Sequence, residues 1–154
     1  MKLCILGTGY VGLVSGTCFS DLGNKVICAD IDKNKINKLN SSKIPIYEPG
    51  LEELVKKNFD QKRLSFTTDI NSAIKDSDII FICVGTPTKK KSNTADLKYL
   101  FQAVNLIAKN INKYKIIVTK STVPVTTGDK IEKIIKSKNR KKKFDVIANP
   151  EFLR

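Results

Sequence analysis

The sequence predicts an α/β fold, a doubly wound parallel sheet, and three observations carry that prediction. Apolar runs of strand length recur at 2–7, 25–30, 63–67, 78–84, 115–120 and 144–149, with helical periodicity filling most of the gaps. The first run leads into three glycines, Gly7, Gly9 and Gly12. The second closes on an acid, Asp30, 18 positions beyond Gly12. Strands that alternate with helices pair in parallel through right-handed crossovers, and two such halves give the strand order 3-2-1-4-5-6.

Each helix has its own local signals. The first is expected over about 10–22, with Gly12, Ser15, Gly16 and Thr17 small enough to let it approach the strands, and with Gly23 as its C-terminal cap. Asp32 caps a second helix that runs to about Leu39. A polar turn at 40–42 and the segment 44–50 then lead into a helix ending near Phe59. That stretch interrupts a simple strand–helix–strand unit, so it embellishes the basic fold. Helices near 71–75, 96–110 and 125–137 complete the alternation.

The glycine triplet has a physical reading. The first glycine permits the tight strand-to-helix turn, the second lets backbone approach a pyrophosphate, and the third lets helix and strand pack closely. The free N–H groups of Thr8, Gly9, Tyr10, Val11 and Gly12, at the positive end of the helix, then favour an anion without a charged side chain. Asp30 sits near the roughly 20-residue spacing at which a carboxylate accepts the adenosine ribose hydroxyls. Together these define a Rossmann-type dinucleotide site, with NAD as the expected cofactor. In such sheets the ligand crevice lies beyond the strand C-termini, which directs attention to 84–88, 120–123 and 149–154.

Composition narrows the class. At 154 residues the chain is one domain, a size that buries about 68–70% of its unfolded surface. The longest uncharged apolar stretch, 79–84, is far short of the roughly 20 residues of a membrane span, and the N-terminus shows no leader pattern, so a cytoplasmic location without membrane association is expected. Cys4, Cys18, Cys28 and Cys83 fall in apolar positions without paired spacing, and the chain has no histidine. Four buried, reduced thiols are therefore expected, with no metal site. The net charge of +13 raises nucleic acid as a partner, with lysine runs at 89–91 and 141–143. Only Arg63, Arg140 and Arg154 offer guanidinium forks, and no aromatics interleave the basic runs, so these lysines read as solvated surface and nucleic acid is not expected.

The loops after the later strands carry the rest. They read Val84-Gly85-Thr86-Pro87-Thr88, Lys120-Ser121-Thr122-Val123-Pro124 and Asn149-Pro150-Glu151-Phe152-Leu153-Arg154, joined by Ile46-Tyr47-Glu48-Pro49-Gly50-Leu51 and Ala95-Asp96-Leu97. In that order over the whole chain they resemble the UDP-glucose/GDP-mannose dehydrogenase family, more its UDP-glucose branch. The resemblance implies an enzyme that oxidises the C6 hydroxyl of UDP-glucose twice, with two NAD⁺ and a cysteine thioester, to UDP-glucuronate. It implies that residues 7–12 hold the pyrophosphate, Asp30 the ribose, and Lys35 the adenosine end. Gly85, Thr86 and Pro87 match the loop along the cofactor, and Ser121 and Thr122 the segment near the nicotinamide. Glu151 matches an active-site glutamate handling protons and water, and Phe152, Leu153 and Arg154 begin the sugar-nucleotide lining.

These roles make chemical sense: the Thr122 hydroxyl can hold a water, and a partly buried Glu151 would have the raised pKa of a general base. Serine and threonine after a strand more often cap a helix or hold a turn, and that reading stays open for Thr86, Ser121 and Thr122. Two departures from the family stand out. Thr126 replaces a glycine after Val-Pro-Val, and a glycine is missing near Ser92-Asn93. Residues 1–154 are expected to be the NAD-binding domain. The linking helix and the second domain with its nucleophilic cysteine lie outside the sequence, and a homodimer belongs to the full-length enzyme. A GDP-mannose or other nucleotide-sugar dehydrogenase and a free-standing, non-catalytic dinucleotide-binding module remain the alternatives.

Overall fold

The computed structural model describes residues 1–89 and 94–151. Six parallel strands form one sheet: β1 (Lys2–Leu6), β2 (Lys25–Ala29), β3 (Leu64–Thr67), β4 (Ile79–Ile82), β5 (Lys115–Thr119) and β6 (Phe144–Ala148). Their order is β3-β2-β1-β4-β5-β6, as the alternation predicts. The helices are α1 (Tyr10–Asp21), α2 (Lys33–Asn40), α3 (Leu51–Asp60), α4 (Ile70–Asp76), α5 (Lys98–Asn110) and α6 (Thr127–Lys138).

Two cores lie on the two faces of the sheet, sorted by the period-two alternation of strand side chains. Cys4, Leu6, Ile80, Ile82 and Ile117 face α4, α5 and α6. Leu3, Ile5, Val26, Cys28 and Leu64 face α1, α2 and α3. Lys115 enters β5 fully buried; its ammonium donates to the carbonyls of Lys75 (3.0 Å) and Ser77, and burial pushes its pKa down.

Helix ends follow the expected chemistry. The Asp32 carboxylate accepts the N–H of Lys35 at 3.1 Å and caps α2. Gly23 stands one residue past the α1 cap at φ 92°, where the Asn24 N–H returns to the Phe19 carbonyl at 3.2 Å, the glycine-ended turn expected there. The predicted starts of α5 and α6 move inward by two residues: Asp96 accepts the Lys98 N–H at 3.0 Å ahead of α5, and Thr126 turns left-handed at φ 73° ahead of α6.

Cys18 corrects the sequence reading. Cys4, Cys28 and Cys83 are buried, whereas Cys18 is exposed. The buried stripe of α1 is Gly12, Leu13, Gly16, Thr17 and Ser20, and position 18 lies off it.

Candidate functional site

The site is assembled at the C-terminal ends of the strands. The Gly7 N–H donates to the Ala29 carbonyl at 2.8 Å, tying the end of β1 to that of β2. Its backbone turns at φ 99°, and a Cβ there would stand 2.7 Å from the Cys83 carbonyl oxygen, so only glycine suits the turn. A Cβ on Gly12 would fall 1.9 Å from the Gly7 carbonyl oxygen. Close packing of α1 on the strands is shared with Gly16, whose added Cβ would meet Cys28 Sγ at 2.6 Å.

Gly9 is different in kind. Nothing lies within 4 Å of a Cβ built on it, and φ is −72°, a value any residue adopts. The protein therefore makes no demand for glycine at this position. The open space lies at the start of α1, where the first N–H groups have no intrahelical acceptors, and it fits the close approach of a phosphate.

Thr8 departs from expectation. It is fully buried, and its N–H and Oγ1 both donate to Asp30 Oδ2, each at 2.8 Å. That N–H is thus committed within the loop, and the anion-facing donors begin later in the turn. Lys35 Nζ reaches the same carboxylate oxygen at 3.2 Å, while the Asp32 N–H donates to Asp30 Oδ1 at 3.1 Å. Burial pushes the Asp30 carboxyl up, but the Thr8 N–H, the Asp32 N–H, the Thr8 hydroxyl and the Lys35 ammonium outweigh it and hold the group below the usual carboxylate range.

Two cavities flank the glycine loop, and Val84 lines both. The first, about 390 Å³, opens beside Asp30 and is walled by Ile31, Ile70, Tyr99, Ala103 and Leu106, an apolar slot suited to a flat base. Its α5 residues were missed from sequence, although Tyr99, Gln102, Ala103 and Leu106 form an i, i+3, i+4, i+7 stripe on the helix after β4. The second cavity, about 360 Å³, is lined by Gly9, Tyr10, Gly85, Lys120, Ser121 and Glu151, with Val11, Thr86 and Thr122 also on its wall. Pro87 lines neither cavity; its carbonyl accepts the Asp96 N–H at 2.7 Å. Phe152, Leu153 and Arg154 lie outside the described residues.

The hydroxyls of the second cavity hold its loops together. Ser121 Oγ donates to the Val84 carbonyl at 2.6 Å, Thr86 Oγ1 to that of Thr122 at 3.1 Å, and Thr122 Oγ1 to that of Glu151 at 3.1 Å. Their protons bind the ends of β4, β5 and β6 to one another, the commoner role of such residues. Glu151 is paired as well as partly exposed: Lys120 Nζ lies 2.8 Å from its Oε2. Lys120 lies in the 120–123 stretch that the sequence points to, but nothing in the sequence gives it a role of its own. The Tyr10 hydroxyl donates to Glu48, which docks the embellishing segment onto the start of α1 and pushes the phenol pKa up. Among the described residues no cluster of three or more His, Cys, Asp or Glu could hold a metal, and no helix is long and apolar enough to cross a membrane.

An open glycine turn between a base-sized slot and a polar cleft, with an anchored carboxylate at the end of β2, defines a dinucleotide-binding domain of the Rossmann type. Comparison with known proteins agrees: residues 1–154 match the UDP-glucose/GDP-mannose dehydrogenase family, NAD binding domain. The chain belongs to that family and is its NAD-binding domain. It is 56% identical over 154 residues to the UDP-glucose 6-dehydrogenase TuaD of Bacillus subtilis, covering 99% of this chain and 33% of that protein. The solved structure of a GDP-mannose dehydrogenase from Pseudomonas aeruginosa superimposes with a TM-score of 0.92 at 41% identity, over 100% of this chain and 37% of that one. A UDP-glucose dehydrogenase from Pyrobaculum islandicum gives 0.93 at 36%, over 99% and 36%. The chain thus spans about a third of the length of the relatives it matches.

Proposed function

We propose that this chain is the cofactor domain of a UDP-glucose 6-dehydrogenase, the enzyme that oxidises UDP-glucose twice to UDP-glucuronate. The single observation that carries the reading is the open face of Gly9 on the wall of the second cavity, where the fold itself makes no demand for glycine and the close approach of a dinucleotide does. Gly7, Gly9, Tyr10, Val11 and Gly12 would hold the pyrophosphate, with Thr8 bracing the loop from beneath. Asp30 and Lys35 would hold the adenosine ribose, and Ile31, Tyr99 and Leu106 the base. Gly85, Thr86, Ser121 and Thr122 would wall the nicotinamide side. When bound, NAD⁺ supplies the hydride acceptor.

The chain's own share of the chemistry is to hold that acceptor and to move a proton. Glu151, at the mouth of the second cavity, carries a carboxylate able to take a proton from the sugar hydroxyl or from water. Thr122 holds the Glu151 backbone, so its contribution is to place the glutamate. Phe152, Leu153 and Arg154 begin the substrate lining, and the remaining substrate groups and the nucleophilic cysteine belong to a second domain beyond residue 154. Partners are then UDP-glucose and, in the full-length enzyme, a second copy; the location is cytoplasmic. The identity to UDP-glucose 6-dehydrogenases favours that substrate over GDP-mannose.

Calorimetric titration of the chain tests the cofactor assignment. NAD⁺ is expected to bind more tightly than NADP⁺, because a 2′-phosphate would face the Asp30 carboxylate; equal affinities would overturn it. With UDP-glucose and NAD⁺ the chain alone is expected to sustain no turnover, since the remaining substrate groups lie in the second domain and its one exposed thiol, Cys18, lines neither cavity and so forms no thioester for the second oxidation. Turnover that survives thiol alkylation would refute the division of labour.

A further inference from the structure

We propose that Lys120 is a positioning residue for Glu151: its ammonium fixes the glutamate carboxylate in the cleft, ready to accept a proton from substrate or water. The inference deepens the reading of Glu151 given above and rests on it.

The geometry separates this role from a structural one. Lys120 follows β5 directly, and its N–H donates to the Ile82 carbonyl at 3.0 Å, so its backbone is pinned to the end of β4. Its side chain is only 13% exposed, whereas that of Glu151 is 39% exposed. Nζ is held from two sides, by Glu151 Oε2 at 2.8 Å and Asn149 Oδ1 at 3.2 Å. The backbone of 149–151 has its own anchors: the Asn149 N–H donates to the Thr119 carbonyl at 2.9 Å, the Glu151 N–H to that of Lys120 at 3.4 Å, and Thr122 Oγ1 to the Glu151 carbonyl at 3.1 Å. The strand end is therefore secured without the ion pair. What the ion pair adds is one fixed orientation of a carboxylate that otherwise rotates freely about three side-chain bonds.

Charge supports the same role. Among the described residues lining the second cavity, Lys120 is the sole cation and Glu151 the sole anion. A mostly buried ammonium strengthens its hold on a neighbouring carboxylate, because little water competes. Oε2 is engaged by Lys120, and among the described residues nothing hydrogen-bonds to Oε1, the oxygen assigned to accept a proton.

The test compares Lys120→Gln, which keeps a polar stem without charge, and Lys120→Arg, which restores the cation, with Glu151→Gln as the reference. In the full-length enzyme carrying this domain, Lys120→Gln is expected to lower kcat about tenfold or more, a part of the usual contribution of a proton-transfer group, with the KM for UDP-glucose little changed. Lys120→Arg should recover much of that loss. In the isolated chain, the side-chain carboxyl ¹³C signal of Glu151 should move in Lys120→Gln and return toward the parent position in Lys120→Arg, while NAD⁺ affinity stays the same. An unchanged kcat and an unmoved Glu151 signal in Lys120→Gln, alongside a collapsed kcat in Glu151→Gln, would overturn the positioning role and leave Glu151 in place. Full activity in Glu151→Gln would overturn the reading of Glu151, and the proposal with it. Loss of NAD⁺ binding or of cooperative unfolding in Lys120→Gln, unrelieved by arginine, would make Lys120 a structural residue and refute the proposal.

Discussion

Thr8 and Asp30 are joined twice, the threonine donating both its N–H and its hydroxyl to one carboxylate oxygen at 2.8 Å. The ribose acid is therefore also the clasp of the glycine loop. Asp30→Asn should weaken NAD⁺ binding and destabilise the chain by about 1.5–3 kcal/mol, the worth of charged hydrogen bonds. Because the folded carboxyl titrates below its unfolded counterpart, the contribution is complete above the unfolded value and fades as pH falls through the folded one. Denaturant unfolding of parent and variant from pH 7 down to pH 2 checks this; a gap that stays constant with pH would contradict it.

Gly9 and Gly12 should respond in opposite ways. Gly9→Val meets nothing within 4 Å, so unfolding should shift by no more than about 1 kcal/mol, the loss of an N-terminal cap preference, while NAD⁺ binding disappears. Gly12→Ala places its methyl group 1.9 Å from a backbone oxygen and should cost about 3 kcal/mol or more, beyond ordinary overpacking. Paired denaturation and calorimetry decide both.

One thiol should react in the folded chain. Burial pushes Cys4 and Cys83 up to about 12 and Cys28 well above its ordinary value, whereas Cys18 is exposed. Brief alkylation followed by peptide mass spectrometry should label Cys18 alone, and all four thiols in denaturant. Labelling of Cys83 at a matching rate would show that the second cavity opens further than the structure allows.

Thr126 stands at φ 73°, a left-handed conformation that a β-branched residue adopts at a cost of about 1–2 kcal/mol. The family's usual glycine would remove that cost. Thr126→Gly should raise the Tm by about 2–6 °C for a domain of this size, as differential scanning calorimetry would show.

Strand order, the glycine turn and the Asp30 position were legible because each depends on local periodicity or on backbone freedom at one residue. The base slot was less so: the stripe at Tyr99, Gln102, Ala103 and Leu106 is plain, but nothing local says that its outer end overhangs Asp30. The Lys120–Glu151 pair joins loops 31 residues apart, after different strands, and depends on the register between β5 and β6. The donors of Ser121, Thr86 and Thr122 were hidden for the same reason, since their acceptors are carbonyls of neighbouring loops. Cys18 was legible and misread: the small-residue stripe of α1 already leaves position 18 outside.

The empty space beside Gly9 separates two selections that act together at most glycines of such turns. A library sorted only for folding should drift freely at position 9 while positions 7, 12 and 16 stay fixed. Sorting the same library for cofactor capture should freeze all four. The difference between the two profiles would mark the ligand's own imprint on the chain, at single-residue resolution.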